Sequence, residues 1–290
     1  MTENLPVFGV DVSTWQTDCD YKRAVGEGGV RFAIIRAGFG KNAATQKDNM
    51  FETHYAGFRE AGVPVGAYQY SYAVSPEGAV KEAEAFLGWI AGKKIDLPCF
   101  IDMEESSVAK LGKKLCTEIA LAWCGRVSSA GYRAGVYSNP NWFENYLDAE
   151  EIGKKYLIWC ASWGSVKPDY KGLAVWQFGG QTNLLRSRAV PGIGDIVDQN
   201  FLYEDLTADD VPEKESEPER KPAVGDVVDF TGNVHYAHAN ASYGPTCRPG
   251  KARITQIAMG YRHPYHLIRI LGGGSTVYGW VDKSDFTVEN

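Results

Sequence analysis

The stretch LPCFIDMEES, residues 97–106, begins as an apolar, β-rich run and ends in three acids, Asp102, Glu104 and Glu105. Side chains alternate between the two faces of a strand, so Phe100, Asp102 and Glu104 are predicted to share one face. In a parallel β/α barrel, catalytic groups lie at the C-terminal ends of the strands. The acid pair therefore indicates an active site, provided that the rest of the chain builds such a barrel.

Seven further β-rich runs occur in the first 206 residues, and helical patterns separate the early ones. Apolar residues recur three to four positions apart in segments 79–90 and 115–127, as in an amphipathic helix. Strands that alternate with helices predict parallel βα units, and eight strands predict a closed barrel. The predicted strands are 7–13, 31–38, 64–72, 98–104, 134–139, 157–162, 173–179 and 194–201.

The last third of this region departs from the alternating pattern. Only nine residues, GSVKPDYKG, separate Trp163 from Leu173, whereas a parallel crossover needs about a dozen or more. The segment GGQTNLLRSRAVPGI before the last strand has no helical pattern either. We therefore expect hairpin-like loops here. The fold class is α/β, an irregular (β/α) barrel with helices missing near the last strands.

A charged, proline-rich segment at 207–226 marks a domain boundary. Its composition cannot repay the entropy of folding, which is typical of a linker. We predict a barrel domain at 1–206, a linker at 207–223 and a small module at 224–290. The module has four short β-rich runs separated by turn residues and no helical pattern, which predicts a small all-β barrel.

Composition excludes several classes of protein. The formal net charge of −6 argues against nucleic acid as the main partner, and no apolar run is long enough to span a membrane. The start, MTENLPVFGVDVS, has neither the basic start nor the long apolar core of a signal peptide. The six cysteines form no CxxC pair. We expect a protein made in the cytoplasm, without membrane insertion.

Two more acids have a placement similar to that of the first pair. Asp11 ends VFGVD in the first predicted strand, and Asp198 ends GDIVD in the last. The first and last strands of a closed barrel are neighbours, so four carboxylates are predicted around one mouth. Side chains near the same strand ends would line an acidic, aromatic groove for substrate: Tyr68, Tyr70, Tyr137, Trp159, Trp176 and Gln177.

Acids also occur at strand ends without any part in catalysis. A single one is more often a turn residue or a helix N-cap, and clustered carboxylates bind magnesium or calcium. There is no DxDxDG loop, and His54, the one histidine of the first domain, lies in a helical stretch. We predict no metal and no cofactor. Paired acids suit glycoside cleavage, with Glu104 as proton donor because Asp102 and partial burial would raise its pKa.

Five motifs together resemble glycoside hydrolase family 25, the N-acetylmuramidases often called Chalaropsis-type lysozymes. The resemblance extends from about Phe8 to Leu206. It implies an irregular β/α barrel that cleaves the β-1,4 bond between N-acetylmuramic acid and N-acetylglucosamine in peptidoglycan. The motifs are GVDVSTWQ (9–16), DME (102–104), YSN (137–139), WQF (176–178) and VDQN (197–200).

The resemblance also implies roles for the four acids. Glu104 would be the acid/base of a retaining reaction in which the acetamido group of the substrate is the nucleophile. Asp102 would orient that group, with Asp198 or Asp11 assisting. The sequence leaves the division of roles among the three aspartates open.

The tail resembles a bacterial SH3-type cell-wall-binding domain, which implies a ligand in peptidoglycan, either peptide or glycan. We expect Tyr243, Tyr265 and His263 to contribute to wall binding, and Trp280 to fill the core. The motifs are GDVVDFTGN (225–233), HPYHLIR (263–269) and YGWVD (278–282).

The two resemblances together predict a modular lysozyme. The lack of a signal peptide fits a phage endolysin, and a bacterial enzyme exported by an unusual route stays open. The barrel would cut the wall of a Gram-positive host after release, and the tail would hold the enzyme on its insoluble substrate. Two other classes stay open: a wall-binding protein with a dead barrel, and an amidase or peptidase. The latter usually need zinc ligands or a Cys/His pair, which the barrel sequence does not show. The sequence predicts no oligomeric state.

Overall fold

The chain divides into two compact units, Met1–Lys214 and Glu215–Asn290. Of the predicted linker, 207–223, only the last two residues lie in the described part of the chain. No helix in that part combines the length and the apolar character needed to cross a bilayer. The structure, a computed structural model, describes residues 6–164, 166–181, 187–203 and 222–288.

Eight strands of the first unit close into a barrel in which consecutive strands are neighbours. Each overlaps one of the predicted strands, so the predicted strands and the closed barrel are confirmed. The strands are β1 (Val7–Val12), β2 (Ala33–Phe39), β3 (Val65–Tyr70), β4 (Cys99–Asp102), β5 (Ala134–Ser138), β6 (Leu157–Ala161), β7 (Leu173–Gln181) and β8 (Ile196–Leu202).

Helices follow the first five strands and cover the outside of the barrel. The two longest contain the predicted apolar stripes. The helices are α1 (Tyr21–Gly26), α2 (Phe51–Glu60), α3 (Pro76–Ile90), α4 (Ser106–Ala109), α5 (Lys113–Ser129), α6 (Pro140–Asn145) and α7 (Ala149–Gly153).

The end of the barrel lacks helices in its described part, as predicted, but the prediction of hairpin-like loops is only half right. β7 and β8 are antiparallel, as a hairpin requires. β6 and β7 are parallel, although the described residues of 162–172 contain no helix. An extended chain spans about 3.3 Å per residue. The connection is therefore long enough to return along a five-residue strand without a helix.

Strand β4 shows the predicted alternation. Phe100 belongs to the apolar cluster inside the barrel, while Ile101 and Met103 belong to the larger cluster between barrel and helices. Asp102 has the parity of Phe100 and follows it towards the mouth. Apolar side chains thus fill the barrel interior and leave the polar end of the strand for chemistry.

The second unit contains a five-stranded antiparallel sheet with its own apolar core. Four of its strands match the predicted runs, which confirms a mainly β structure. A fifth strand and a 3₁₀ turn at Lys283–Asp285 were not predicted. The strands β9 (Val227–Phe230), β10 (Gly250–Ile257), β11 (Tyr265–Arg269), β12 (Tyr278–Val281) and β13 (Phe286–Val288) lie in the order β12-β11-β10-β9-β13.

Candidate active site

The four acids predicted at strand ends line one pocket at the mouth of the barrel, with a volume of about 280 Å³. Asp11 and Asp198 are direct neighbours in the pairing of β1 with β8. Asp102 is the last residue of β4, and Glu104 follows two residues later. Four of the predicted aromatic residues line the same pocket: Tyr68, Tyr70, Tyr137 and Trp159.

Asp198 reaches the mouth for a reason other than the predicted one. It was predicted to end the last strand, but β8 begins at Ile196, so Asp198 is its third residue. β8 runs antiparallel to both of its neighbours. Its beginning therefore lies where the parallel strands end, and Asp198 arrives beside the other acids.

Burial and mutual repulsion raise the pKa values of the acids. Burial, followed by repulsion from Glu104 and Asp11, holds the pKa of Asp102 well above its usual range, while Arg36 opposes this. Burial and repulsion from Glu104 raise the pKa of Asp198 to about 6. Glu104 is open to solvent on one side, but the pocket walls still remove enough water from its carboxyl group to raise its pKa.

Asp102 has an unusual hydrogen-bonding state. Its Oδ1 atom is buried and has no hydrogen-bond partner among the described residues. An unsatisfied buried acceptor costs about 1–3 kcal/mol, so such atoms are rare in folded proteins. Because Asp102 lines the pocket, its carboxylate group lies beside the space that a ligand would occupy.

Two of the predicted substrate-binding residues do not line the pocket, since neither is among its wall residues. Gln177 is buried beneath it and donates from Nε2 to Oδ2 of Asp11 at 3.0 Å. Trp176 packs instead against Phe178 and Phe201. Neighbouring residues of a strand point to opposite faces, so Trp176 and Gln177 could not both face inward. The prediction for Trp176 is wrong for this reason.

Arg36 and Asn200 belong to the site but were not predicted from the sequence. Arg36 lines the pocket and donates from Nε to Oδ2 of the buried Asp48 at 2.7 Å. The sequence signal for Arg36 was a charged residue in an apolar strand, two positions after the interior residue Ile34 and therefore on the same face.

Asn200 donates from Nδ2 to Oδ2 of Asp11 at 2.7 Å. Its signal was its position two residues after Asp198, on the same face of β8.

Trp15 was also not predicted, although it lines the pocket and is 80% exposed. It lies on the turn after β1, and hydrogen bonds hold that turn. One joins the Ser13 carbonyl to Nε2 of His54 at 2.9 Å. In another, the Thr14 amide donates to Oδ2 of Asp48 at 3.1 Å. A fixed turn thus presents a flat apolar ring with a polar edge, which suits a sugar face.

His54, the histidine of the barrel unit, is buried in the structure and does not line the pocket. His54 lies in α2 and is fully buried, with Nδ1 3.0 Å from the hydroxyl of Tyr21. Burial lowers its pKa, which favours the neutral ring. Within the described ranges, no group of three or more His, Cys, Asp or Glu side chains is arranged to hold a metal ion. The absence of a metal requirement stays a prediction.

The predicted wall-binding residues of the second unit need correction. Tyr265 is buried and packs edge-to-face on Phe286. His263 is also buried, with Nδ1 2.9 Å from Oδ1 of Asp282. Neither is placed to contact a ligand, because the inward face of β11 and the loop before it build the core. Tyr243 is 88% exposed, as a contact residue would be.

Trp280 has the reverse outcome. It was expected in the core, but it is partly exposed and lies outside the core cluster. Its ring lies 5.3 Å from that of His266 on the outer face of the sheet, and Tyr278 lies 5.8 Å from the same histidine. We call Trp280, Tyr278 and His266 the outer aromatic face.

Residues 10–185 match the model of glycosyl hydrolases family 25, and this range is more than half of the chain. The chain belongs to glycosyl hydrolase family 25. This family 25 chain is 29% identical over 163 residues to the autolytic lysozyme of Clostridium acetobutylicum, a match that covers 56% of this chain and 46% of that protein. It is 30% identical over 207 residues to the uncharacterized protein YegX of Escherichia coli K12, covering 70% of this chain and 72% of that protein.

A solved structure supports the family 25 fold. The modular autolysin LytC of Streptococcus pneumoniae, solved in complex with a synthetic peptidoglycan ligand, is similar with a TM-score of 0.59 and 19% identity. The similarity covers 70% of this chain and 48% of that one. At this identity the likeness shows the fold alone. The chain thus matches less than half the length of the Clostridium lysozyme and of LytC.

Proposed function

We propose that the barrel is an N-acetylmuramidase, which hydrolyses the β-1,4 bond between N-acetylmuramic acid and N-acetylglucosamine in peptidoglycan. The observation that carries the proposal is the convergence of Asp11, Asp102, Glu104 and Asp198 on one pocket in a glycoside hydrolase family. A lysozyme relative and a structural neighbour solved with a peptidoglycan ligand support the same substrate. Gram-positive walls, reached after release from a host cell, are the proposed target.

Glu104 is the proposed acid/base. Its raised pKa favours a carboxyl group that still carries its proton when the substrate binds. Glu104 would protonate the glycosidic oxygen as the bond to the anomeric carbon breaks. In the second half of the reaction it would take a proton from the attacking water, which returns the side chain to its starting state.

Asp102 is proposed to act on the acetamido group of the substrate. The acetamido oxygen attacks its own anomeric carbon, and positive charge develops on the acetamido nitrogen and carbon. The carboxylate of Asp102, which lines the pocket, would accept the hydrogen bond from the acetamido N–H and stabilise that charge. Water then attacks the anomeric carbon from the opposite side and opens the ring that the acetamido group formed with that carbon. The anomeric configuration is therefore retained.

The anomer of the first product tests this route. Soluble glycan fragments are mixed with the enzyme, and proton NMR follows the new reducing end before mutarotation. The proposal predicts that the β-anomer appears first. First appearance of the α-anomer would rule out the acetamido route and leave an inverting muramidase.

Gly180 is predicted to be required because its backbone lies against Asp198. A Cβ atom there would lie 2.1 Å from Oδ1 of Asp198, whereas a Cβ on Gly164, in the loop after β6, meets nothing within 4 Å. We expect Gly180→Ala to displace the carboxylate and lower kcat about 10-fold or more, and Gly164→Ala to leave it unchanged. Reducing-end release by both variants checks this, and equal rates would contradict it.

We further propose that the second unit is an SH3-like module that binds the cell wall. The outer aromatic face supports this, because aromatic rings left partly exposed beside a complete core offer contact area for a glycan or peptide. The core cluster of this unit is separate from that of the barrel. Wall binding and bond cleavage are therefore expected to be separable by mutation.

Trp280→Ala is expected to weaken binding to insoluble walls by about 5-fold or more, since large aromatic contacts dominate binding surfaces. Cleavage of soluble fragments should not change. Leu271→Ala is the control, because Leu271 is 98% exposed and lies outside the outer aromatic face. Co-sedimentation with purified walls measures binding. Equal binding by Trp280→Ala and wild type would exclude this face as the wall contact.

A further inference from the structure

Within the described part of the chain, the Asp11 carboxylate accepts side-chain amide hydrogen bonds that the other acids of the pocket do not receive. Its Oδ2 atom accepts two hydrogen bonds, from Nδ2 of Asn200 at 2.7 Å and from Nε2 of Gln177 at 3.0 Å. Asn200 is fully buried, and Gln177 and Asp11 are 2% and 6% exposed. Two neutral amides thus converge on one oxygen of a buried acid.

Two tryptophans determine which way these amides point. An indole N–H is a donor only, so an amide that faces it must present its oxygen. Nε1 of Trp159 donates to Oδ1 of Asn200 at 2.8 Å, and Nε1 of Trp163 donates to Oε1 of Gln177 at 3.0 Å. The hydroxyl of Tyr137 also donates to Oε1 of Gln177, at 3.2 Å. The NH₂ group of each amide must therefore face the carboxylate.

We propose that Gln177 and Asn200 are positioning residues that clamp the carboxylate of Asp11, and that Trp159 and Trp163 act through them by fixing the direction of each amide. We call these four residues the amide clamp. The proposal rests on the proposed function for its effect on rate, but the clamp itself is a property of the protein alone. It assigns Asp11 the role of a fixed acceptor whose other oxygen is kept towards the pocket.

The clamp works against the electrostatics of its surroundings. Burial, then repulsion from Asp198, raises the pKa of Asp11, while the hydrogen bonds from Asn200 and Gln177 lower it. The hydrogen bonds favour the charged form because an N–H donor stabilises a carboxylate more than a carboxylic acid. The other titratable or charged groups around Asp11 are Asp102 at the end of β4, Glu104 two residues later, Tyr68 on β3, Tyr137 on β5 and Arg36 on β2.

Loss of one amide donor shifts the pKa of Asp11 in a defined direction. The pKa of Asp11 rises, so Asp11 takes up its proton at a higher pH than in the wild type. Because the charge of Asp11 is then lost earlier on acidification, the acid limb of the kcat/KM profile should move to higher pH. A residue that only fills space would change stability without moving this limb.

The test uses two full-length variants. Gln177→Met keeps the volume and removes the donor, and Trp163→Phe keeps a ring at a half-exposed site and removes the N–H that orients Gln177. Trp89→Phe is the matched control, because Nε1 of Trp89 donates to a backbone carbonyl, that of Ala43, at 2.9 Å in the helical layer. The titration of Asp11 is followed by carboxyl ¹³C NMR on aspartate-labelled protein, with the resonance assigned by Asp11→Asn.

Both variants are expected to titrate Asp11 at higher pH, Gln177→Met more than Trp163→Phe, and to lower kcat/KM at acidic pH by about 10-fold. Trp89→Phe should leave the midpoint where it is. An unchanged midpoint in Gln177→Met overturns the proposal. A shifted midpoint in a protein that releases no reducing ends would retain the clamp and refute the muramidase function, so the two failures are distinguishable.

Discussion

Glu104→Gln is expected to lower kcat on peptidoglycan by about 100- to 10,000-fold, the range that general acid–base catalysis contributes. The amide keeps the shape of the side chain but cannot deliver a proton to the glycosidic oxygen. Release of reducing ends from purified walls measures the effect. Glu105→Gln is the control, since Glu105 caps α4 by accepting from the amide of Ser107 and is not among the residues that line the pocket.

The pH profile tests the same role without a mutation. Glu104 must be protonated to act as an acid, and burial raises its pKa. Activity should therefore persist above the usual titration range of a glutamate and decline as the pH rises through the raised pKa. Loss of wild-type activity already at a pH near the ordinary glutamate pKa would contradict this role, as would equal rates for wild type and Glu104→Gln.

Asp102→Asn is expected to lower kcat by about 100- to 1,000-fold with little change in KM, because the lost interaction forms as charge develops. Stability should not fall. Oδ1 of Asp102 has no partner among the described residues, and a neutral amide removes the cost of a buried, partly uncompensated charge. Thermal unfolding of the variant is the companion measurement to the kinetics.

A different pair of outcomes would contradict the role of Asp102. If Asp102→Asn unfolds at a much lower temperature and its remaining folded fraction has normal kcat, Asp102 is structural. If KM rises and kcat does not change, Asp102 contributes equally to binding the ground state and the transition state. Only a fall in kcat in a stable variant fits charge stabilisation in the transition state.

Periodicity was sufficient to predict the barrel. Strands β1 to β8 all lie in apolar, β-rich runs, and alternation in β4 placed Asp102 on the interior face. The apolar periodicity did not indicate whether neighbouring strands run parallel or antiparallel. The loop before β7 is too short for a helix but long enough for an extended crossover, so β6 and β7 are parallel. Loop length alone could not distinguish this case from the antiparallel β8.

The four acids and four of the five aromatic residues predicted near strand ends line the pocket, whereas the neutral amides that hold an acid in place were not recognised in that role. Gln177 was expected to contact substrate. Its side chain does face the barrel interior, but it is buried beneath the pocket and contacts Asp11 instead. For Asn200 and Arg36, the only signal in the sequence was a position on the strand face that points into the barrel. In the second unit, Tyr265 was expected at the surface and lies in the core, whereas Trp280 was expected in the core and lies outside it. Aromatic character does not indicate which face of a small sheet is buried.

The identity of the new reducing end tests the muramidase function most directly. Defined peptidoglycan is digested, the new ends are reduced with borohydride, and the products are identified by mass spectrometry. We expect reduced N-acetylmuramic acid at every new end, in wild type and not in Glu104→Gln. Reduced N-acetylglucosamine, or release of peptides without any new reducing end, would show that the four acids of this pocket serve a different reaction.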